Sequence, residues 1–200
     1  MKQKIFVLLL CVSYSLAQAQ TKTSFGVFGG VNLSTYNGSA TKNYDPKYKT
    51  GFSAGVYTEV GIGNSLRITP ELGIIQDGYK STFQNVDYVT NLLYLRLAPV
   101  FSYPIIGDRL RVIAGPYSSL LISAKEKNDI QKTDVKGSYN NLDIGGTAGV
   151  RLDVNHTASL LLSYDQGLTN IYTGPNPTPD QKTLNSMVYL RAVIGLRYLR

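Results

Sequence analysis

In the closing segment, Ser186 to Arg200, apolar residues recur at every second position. Val188, Leu190, Ala192, Ile194, Leu196 and Tyr198 fall on one side of an extended chain. Tyr189, Arg191, Gly195 and Arg197 fall on the other, which Met187, Val193 and Leu199 make a mixed side. A helix would point the two arginines roughly 120° apart with apolar residues between them on every side, so the pattern reads as a strand of period two. The same parity runs back along the chain. Leu66, Ile68, Pro70, Leu72 and Ile74 oppose Arg67, Thr69, Glu71, Gly73 and Asp77, and Leu93, Leu95, Leu97, Pro99, Phe101 and Tyr103 oppose Tyr94, Arg96, Ala98 and Ser102. Leu110, Val112, Ala114, Leu120 and Ile122 oppose Arg111, Gly115, Tyr117, Ser119 and Ser123, while Ile144, Ala148, Val150, Leu152 and Val154 oppose Asp143, Gly145, Thr147, Gly149, Arg151 and Asp153. Glu59 stands against Phe52, Val56 and Val60, and Asp165 against Leu160, Leu162 and Tyr164. The first segment is weakest: Phe25, Val27, Val31 and Leu33 fit, and Phe28 breaks the pattern.

Eight strands follow, over about 24–35, 50–61, 65–79, 90–103, 109–124, 140–154, 157–171 and 185–199. Each reaches the roughly nine to eleven residues that a tilted strand needs to cross a bilayer. The connections alternate in length: 36–49, 80–89, 125–139 and 172–184 are long and rich in turn formers, whereas 62–64, 104–108 and 155–156 are tight. All long loops therefore gather at one end of an up-and-down array and all tight turns at the other, the asymmetry of outer-membrane barrels. The expected fold is all-β: an eight-stranded antiparallel up-and-down transmembrane barrel with short periplasmic turns and long extracellular loops.

Alternation alone would also suit a soluble periplasmic ligand-binding β-barrel with its apolar face inside. Composition favours the membrane. The charged face is rich in Gly, Ser, Tyr and Arg, whereas lysines (Lys42, Lys47, Lys49, Lys125, Lys127, Lys132, Lys136, Lys182) gather in the loops. A cramped interior favours small residues and planar guanidinium groups over the Lys and Glu of a solvated face. The first residues, MKQKIFVLLLCVSYSLAQAQ, carry two lysines, a short apolar core and Ala17-Gln18-Ala19, so residues 1–19 read as a signal peptide and 20–200 as the barrel domain. Cleavage would remove Cys11, excluding a disulfide framework, and would leave 18 Lys and Arg against 13 Asp and Glu, an excess of +5. That charge suits lipid phosphates, or simple solubility equally well; an exported chain rarely meets nucleic acid.

The stretch Ala148 to Leu152 and the ending VYLRAVIGLRYLR resemble the small outer-membrane β-barrels labelled porin-like in Bacteroidetes, the outer-membrane protein beta-barrel domain that also covers PorT-type secretion proteins. In architecture the chain is similar to OmpA-like and OmpX-like barrels. The resemblance spans essentially all of the mature chain and implies no general enzymatic activity, cofactor or open pore. Many such barrels end on an aromatic residue, whereas this chain ends Tyr198-Leu199-Arg200.

An eight-stranded barrel is just wide enough for side chains to fill it. The expected interior set is Glu59, Arg67, Glu71, Arg96, Arg111, Asp143, Arg151, Asp165, Arg191 and Arg197, pairing as an ion network because isolated buried charges are strongly unfavourable. A membrane-embedded lipid-modifying enzyme is the rival reading. It would need a histidine base beside a serine, and the one histidine, His156, falls in an expected turn. Glu59 and Glu71 as an acid/base pair are disfavoured by the arginines beside them. No metal site or cofactor is expected. Glycine pairs such as Gly29-Gly30 and Gly145-Gly146 are expected to permit strand curvature, and Tyr57, Tyr79, Tyr103, Tyr164 and Tyr198 to form interfacial girdles. Expected contacts are outer-membrane lipid and lipopolysaccharide, plus a protein or glycan partner at loops bearing Tyr36, Tyr44, Tyr48 and Tyr172, with the barrel a monomer.

Overall fold

Residues of high β-propensity in strict alternation give long strands, and the turn formers between them set where each strand reverses. The structure, a computed structural model, describes residues 23–39, 46–63, 65–83, 86–107, 109–128, 131–173 and 182–199. The expected leader, its cleavage site, Lys42 and Tyr44 lie outside them. The strands are β1 (Thr23–Asn37), β2 (Lys49–Ile62), β3 (Leu66–Phe83), β4 (Val86–Ile106), β5 (Leu110–Lys127), β6 (Lys132–Asp134), β7 (Leu142–Asp153), β8 (Ala158–Gly167) and β9 (Leu184–Leu199). Eight of them form a closed antiparallel ring in chain order, and β9 returns to β1 over a register from Thr23↔Leu199 to Asn37↔Leu184. The three-residue β6 lies outside the ring, pairing with the end of β5 in the β5–β7 connection.

The tight ends are built by identifiable residues. Gly63 (φ 60°) and Gly107 (φ 55°) occupy the left-handed region that side chains disfavour. In the β7–β8 turn Asn155 Oδ1 accepts from the Thr157 and Ala158 amides at 2.9 and 2.8 Å, an Asx-type closure that fixes the reversal. The other end differs from expectation at 80–89. That segment is paired strand up to Phe83↔Val86, because Tyr79, Tyr88, Val89 and their neighbours keep strand-forming side chains in alternation past the expected break. Only 84–85 connect β3 to β4 there, and with 18, 21 and 18 residues β3, β4 and β5 run well beyond a bilayer crossing.

Register aligns the apolar positions in rows around the outside. Val27 pairs with both Val56 and Ile194, Val56 continues to Leu72 and Leu97, and Val31, Leu190, Leu162, Val150 and Val112 make a second row. These side chains point away from the barrel, as Leu95 (39% exposed) and Ile194 (48%) illustrate. A soluble protein does not present so large a continuous apolar surface to water, so the soluble-barrel alternative fails here.

Three placements correct the sequence reading. Phe28 does not break the first strand outward; its ring is buried inside, where the absent side chains of Gly55 and Gly73 make its slot, and a Cβ there would meet Phe28 Cζ at 2.6 and 2.7 Å. The inward parity of β5 changes beyond Leu121: the register shifts between Leu93 and Tyr94 of β4, and Ala124 is buried in place of the expected Ser123. Tyr57 is no girdle residue either, being buried inside against Gly26, where a Cβ would meet its Cε1 at 2.6 Å. Tyr103 and Tyr164 do face outward.

Candidate functional site

The barrel interior is layered along its axis. At the tight-turn end, β2, β3 and β7 bring Glu59, Arg67, Arg151 and Asp153 together. Arg151 donates through Nη1 to Glu59 Oε2 (2.5 Å), through Nε to Asp153 Oδ1 (2.8 Å) and through Nη2 to Ser159 Oγ (3.1 Å), so all three nitrogens are engaged. Arg67 Nη1 donates to Glu59 Oε1 at 2.9 Å and lies 3.9 Å from Asp153 Oδ2. Arg111 sits directly opposite Arg151 in the β5–β7 register, a like-charge pairing that is unfavourable by itself. Its guanidinium goes instead to neutral oxygens, Ser102 Oγ at 3.2 Å and the Ser65 carbonyl at 2.7 Å, correcting the expectation of a carboxylate partner. Glu59, Arg67, Arg151, Asp153 and Ser159 border an open polar cavity of about 620 Å³, floored by Tyr57 and rimmed by the β7–β8 turn. His156 stands exposed on that rim.

Above the cavity comes an apolar collar that the sequence reading missed. Phe28, Tyr57, Ala98, Val100, Ile113, Tyr117, Leu161 and Val193 pack together inside the barrel. Val193 carried the signal, an apolar residue sharing parity with Arg191. Val100, Ile113 and Leu161 share parity with Arg96, Arg111 and Ser163 in the same way.

The middle layer holds the deepest charges. Arg96 donates to Asp165 Oδ2, to the Tyr189 hydroxyl and, at 3.0 Å, to Ser119 Oγ. Its guanidinium lies 3.9 Å from the Tyr117 ring centroid, a cation–π contact. Arg191 donates to Glu71 Oε2 at 2.9 Å and covers the Phe28 ring at 4.9 Å, with Tyr189 standing 5.0 Å away. Gly30 is the register partner of Arg191 and leaves the wall bare where the arginine stem runs, since a Cβ there would meet Arg191 Cγ at 2.9 Å. Among the described residues Asp143 takes no arginine: it accepts from Thr169 Oγ1 and Asn185 Nδ2, each at 2.9 Å, and from the Tyr117 hydroxyl at 3.3 Å. Glu59, Arg67, Arg151 and Asp153 thus form one cluster, Arg96 with Asp165 a second and Arg191 with Glu71 a third. The Arg197 side chain lies outside the described residues.

Toward the long-loop end Asp77 and Lys49 are buried, the latter a lysine expected in a loop. Lys49 begins β2 facing inward, its Nζ donating to the Asp77 carbonyl at 3.3 Å. An aromatic and aliphatic cluster of Tyr36, Leu92, Tyr94, Leu121, Ala124, Tyr139 and Ile171 caps this end. Tyr79, expected at the lipid interface, packs on the cluster with its ring 4.6 Å from Tyr36. Burial, then neighbouring Tyr79, pushes the Tyr139 hydroxyl above its ordinary value, so it stays neutral.

Among the described residues no group of three His, Cys, Asp or Glu side chains is placed to hold a metal ion. The Glu59 and Glu71 carboxylates are each held by an arginine, Arg151 and Arg191 respectively.

Solved structures share this architecture. Neisserial surface protein A is similar at 13% identity with a TM-score of 0.50, covering 87% of this chain and 99% of that one. Ail, the attachment invasion locus protein of Yersinia pestis, solved with the heparin analogue sucrose octasulfate, is 13% identical with a TM-score of 0.48, over 88% and 99% of the two chains. The N-terminal barrel domain of Pseudomonas aeruginosa OprF is 12% identical with a TM-score of 0.36, over 84% and 97%. No curated protein sequence matches significantly. A family model described as the outer membrane protein beta-barrel domain matches residues 17–173, more than half of the chain. With its closed ring of eight strands and its apolar outer surface, the chain therefore belongs to the outer membrane protein beta-barrel domain family, and its place is the outer membrane.

Proposed function

We propose that this barrel serves a structural or surface-contact role, with its interior closed to ions and without catalysis, as a monomer whose outer face meets lipid and, at the loop end, lipopolysaccharide. The apolar collar carries the reading. A band of Phe28, Val100, Ile113, Leu161 and Val193 lies between two ionic layers, and a dry apolar constriction of this kind opposes passage of hydrated ions. The aromatic cap at the loop end adds a second obstruction. Contact with a protein or glycan falls to the loops, where Tyr48 (64% exposed) and the charged strand β6 face solvent.

The test of closure is conductance. Purified protein in planar bilayers is expected to give no steady unitary current, and one to appear only when Val100→Ser with Val193→Ser, which wet the collar, are combined with Tyr36→Ala and Tyr94→Ala, which open the cap. A steady current through the unaltered barrel defeats the closed reading. For the surface role, protein lacking 132–138 is expected to lose cell-surface or matrix binding while keeping its boiled-versus-unboiled gel shift. Equal binding by intact and loop-deleted protein defeats that part.

A further inference from the structure

We infer that the tight-turn end of the barrel is a binding site for an oxyanion, a carboxylate or phosphate group on a solute arriving from the periplasm. The cavity of about 620 Å³ at this end has the size of an ordinary small-molecule pocket, about 300–1,000 Å³. It is blind, because its Tyr57 floor belongs to the apolar collar above. A ligand therefore enters and leaves by the same mouth, and this site goes beyond the structural role proposed above.

Charge selects the ligand. Among the described residues, Arg67, Arg109 and Arg151 line the cavity with Glu59 and Asp153 against them, three cations to two carboxylates. Both carboxylates are taken. Arg151 binds each of them and is saturated, while Arg67 reaches them through Nη1 alone, at 2.9 and 3.9 Å. Nε and Nη2 of Arg67 form no bond within the described residues, and the Arg109 side chain forms no hydrogen bond or ion pair there. Two guanidinium groups thus line a cavity with donor edges to spare, the forked geometry that matches two oxygens of a carboxylate or phosphate. The hydroxyls of Ser24 and Thr157 lie in the same lining. Clustering unspent arginines costs the fold repulsion without a compensating internal contact, and an anion at the mouth removes that repulsion.

The experiment titrates the full-length protein in detergent micelles with citrate and, separately, pyrophosphate, read by isothermal calorimetry at low salt and repeated at higher salt. One anion per barrel is expected, weakening as salt rises. Arg109→Ala, which removes no side-chain bond to a described residue, is expected to weaken it about tenfold, as losing one hydrogen bond between charged groups does. Arg67→Gln is expected to act in the same direction, and Lys132→Ala at the loop end to change nothing. Tighter binding of citrate assigns the site to carboxylates, and tighter binding of pyrophosphate to phosphates. Absence of binding by both probes overturns the inference. So does affinity that survives in both arginine variants, each shown folded by its gel shift, or that falls as far in Lys132→Ala.

Discussion

The two ends of this barrel are finished in opposite ways. At the loop end neutral rings close over the interior, with Tyr36, Tyr94 and Tyr139 packed among Leu92, Leu121 and Ile171. At the turn end the wall stays open and charged, and arginines outnumber the acids they touch. Both ends obey the same alternation of inward and outward positions, so parity does not decide their chemistry. Register does: it sets Arg111 beside Arg151 at one end, and at the other it lets three strands outrun the membrane and carry their aromatic residues inward. Between the two, charges survive only where each has a partner.

That contrast can be broken in graded steps. The largest effect is expected in the middle layer, where Arg96→Met leaves Asp165 buried without its cation and lowers unfolding stability by about 3–5 kcal/mol. Adding Asp165→Leu should restore most of it, and urea titration in lipid vesicles measures both. Next comes the outside: Leu95→Lys puts an ammonium group against hydrocarbon and should cost about 2–4 kcal/mol in the same assay, with reduced insertion. Gly73→Ala crowds Phe28 and the Ala54 carbonyl and should cost about 1–3 kcal/mol, with Phe28→Leu relieving part of it. The smallest change is expected at the open end. Arg67→Met removes an ion pair whose arginine side chain is 32% exposed, and stability should shift by only about 0–1 kcal/mol. If Arg67→Met proves as costly as Arg96→Met, the distinction between a buried middle and an exposed mouth falls.

Much of this was legible in the sequence because lipid is an unforgiving solvent. Leu95, Leu97, Ile194 and Leu190 had to share a face, and the same constraint sent Arg96, Arg151 and Arg191 inward. The interior imposes no such uniform demand. Val100, Ile113 and Leu161 have the parity of the arginines, and only assembly of the ring shows that they form a band. The carboxylate expected for Arg111 was unreadable for a related reason, since its choice of Ser102 and Ser65 depends on a neighbour that had already engaged both Glu59 and Asp153. Phe28 was misread because its slot comes from two other strands, through Gly55 and Gly73. The bulge that turned Ala124 inward leaves no mark in the alternation until the partner strand is known.

The seam between β9 and β1 has a kinetic corollary. Because Val27 finds Ile194, Val31 finds Leu190 and Leu162 finds Leu190, a form lacking the last segment exposes two raw strand edges, on β1 and β8. Cyclisation is then the concluding event of assembly, a pairing of very high sequence separation and correspondingly slow. Until it occurs those two edges remain open to pairing with other chains.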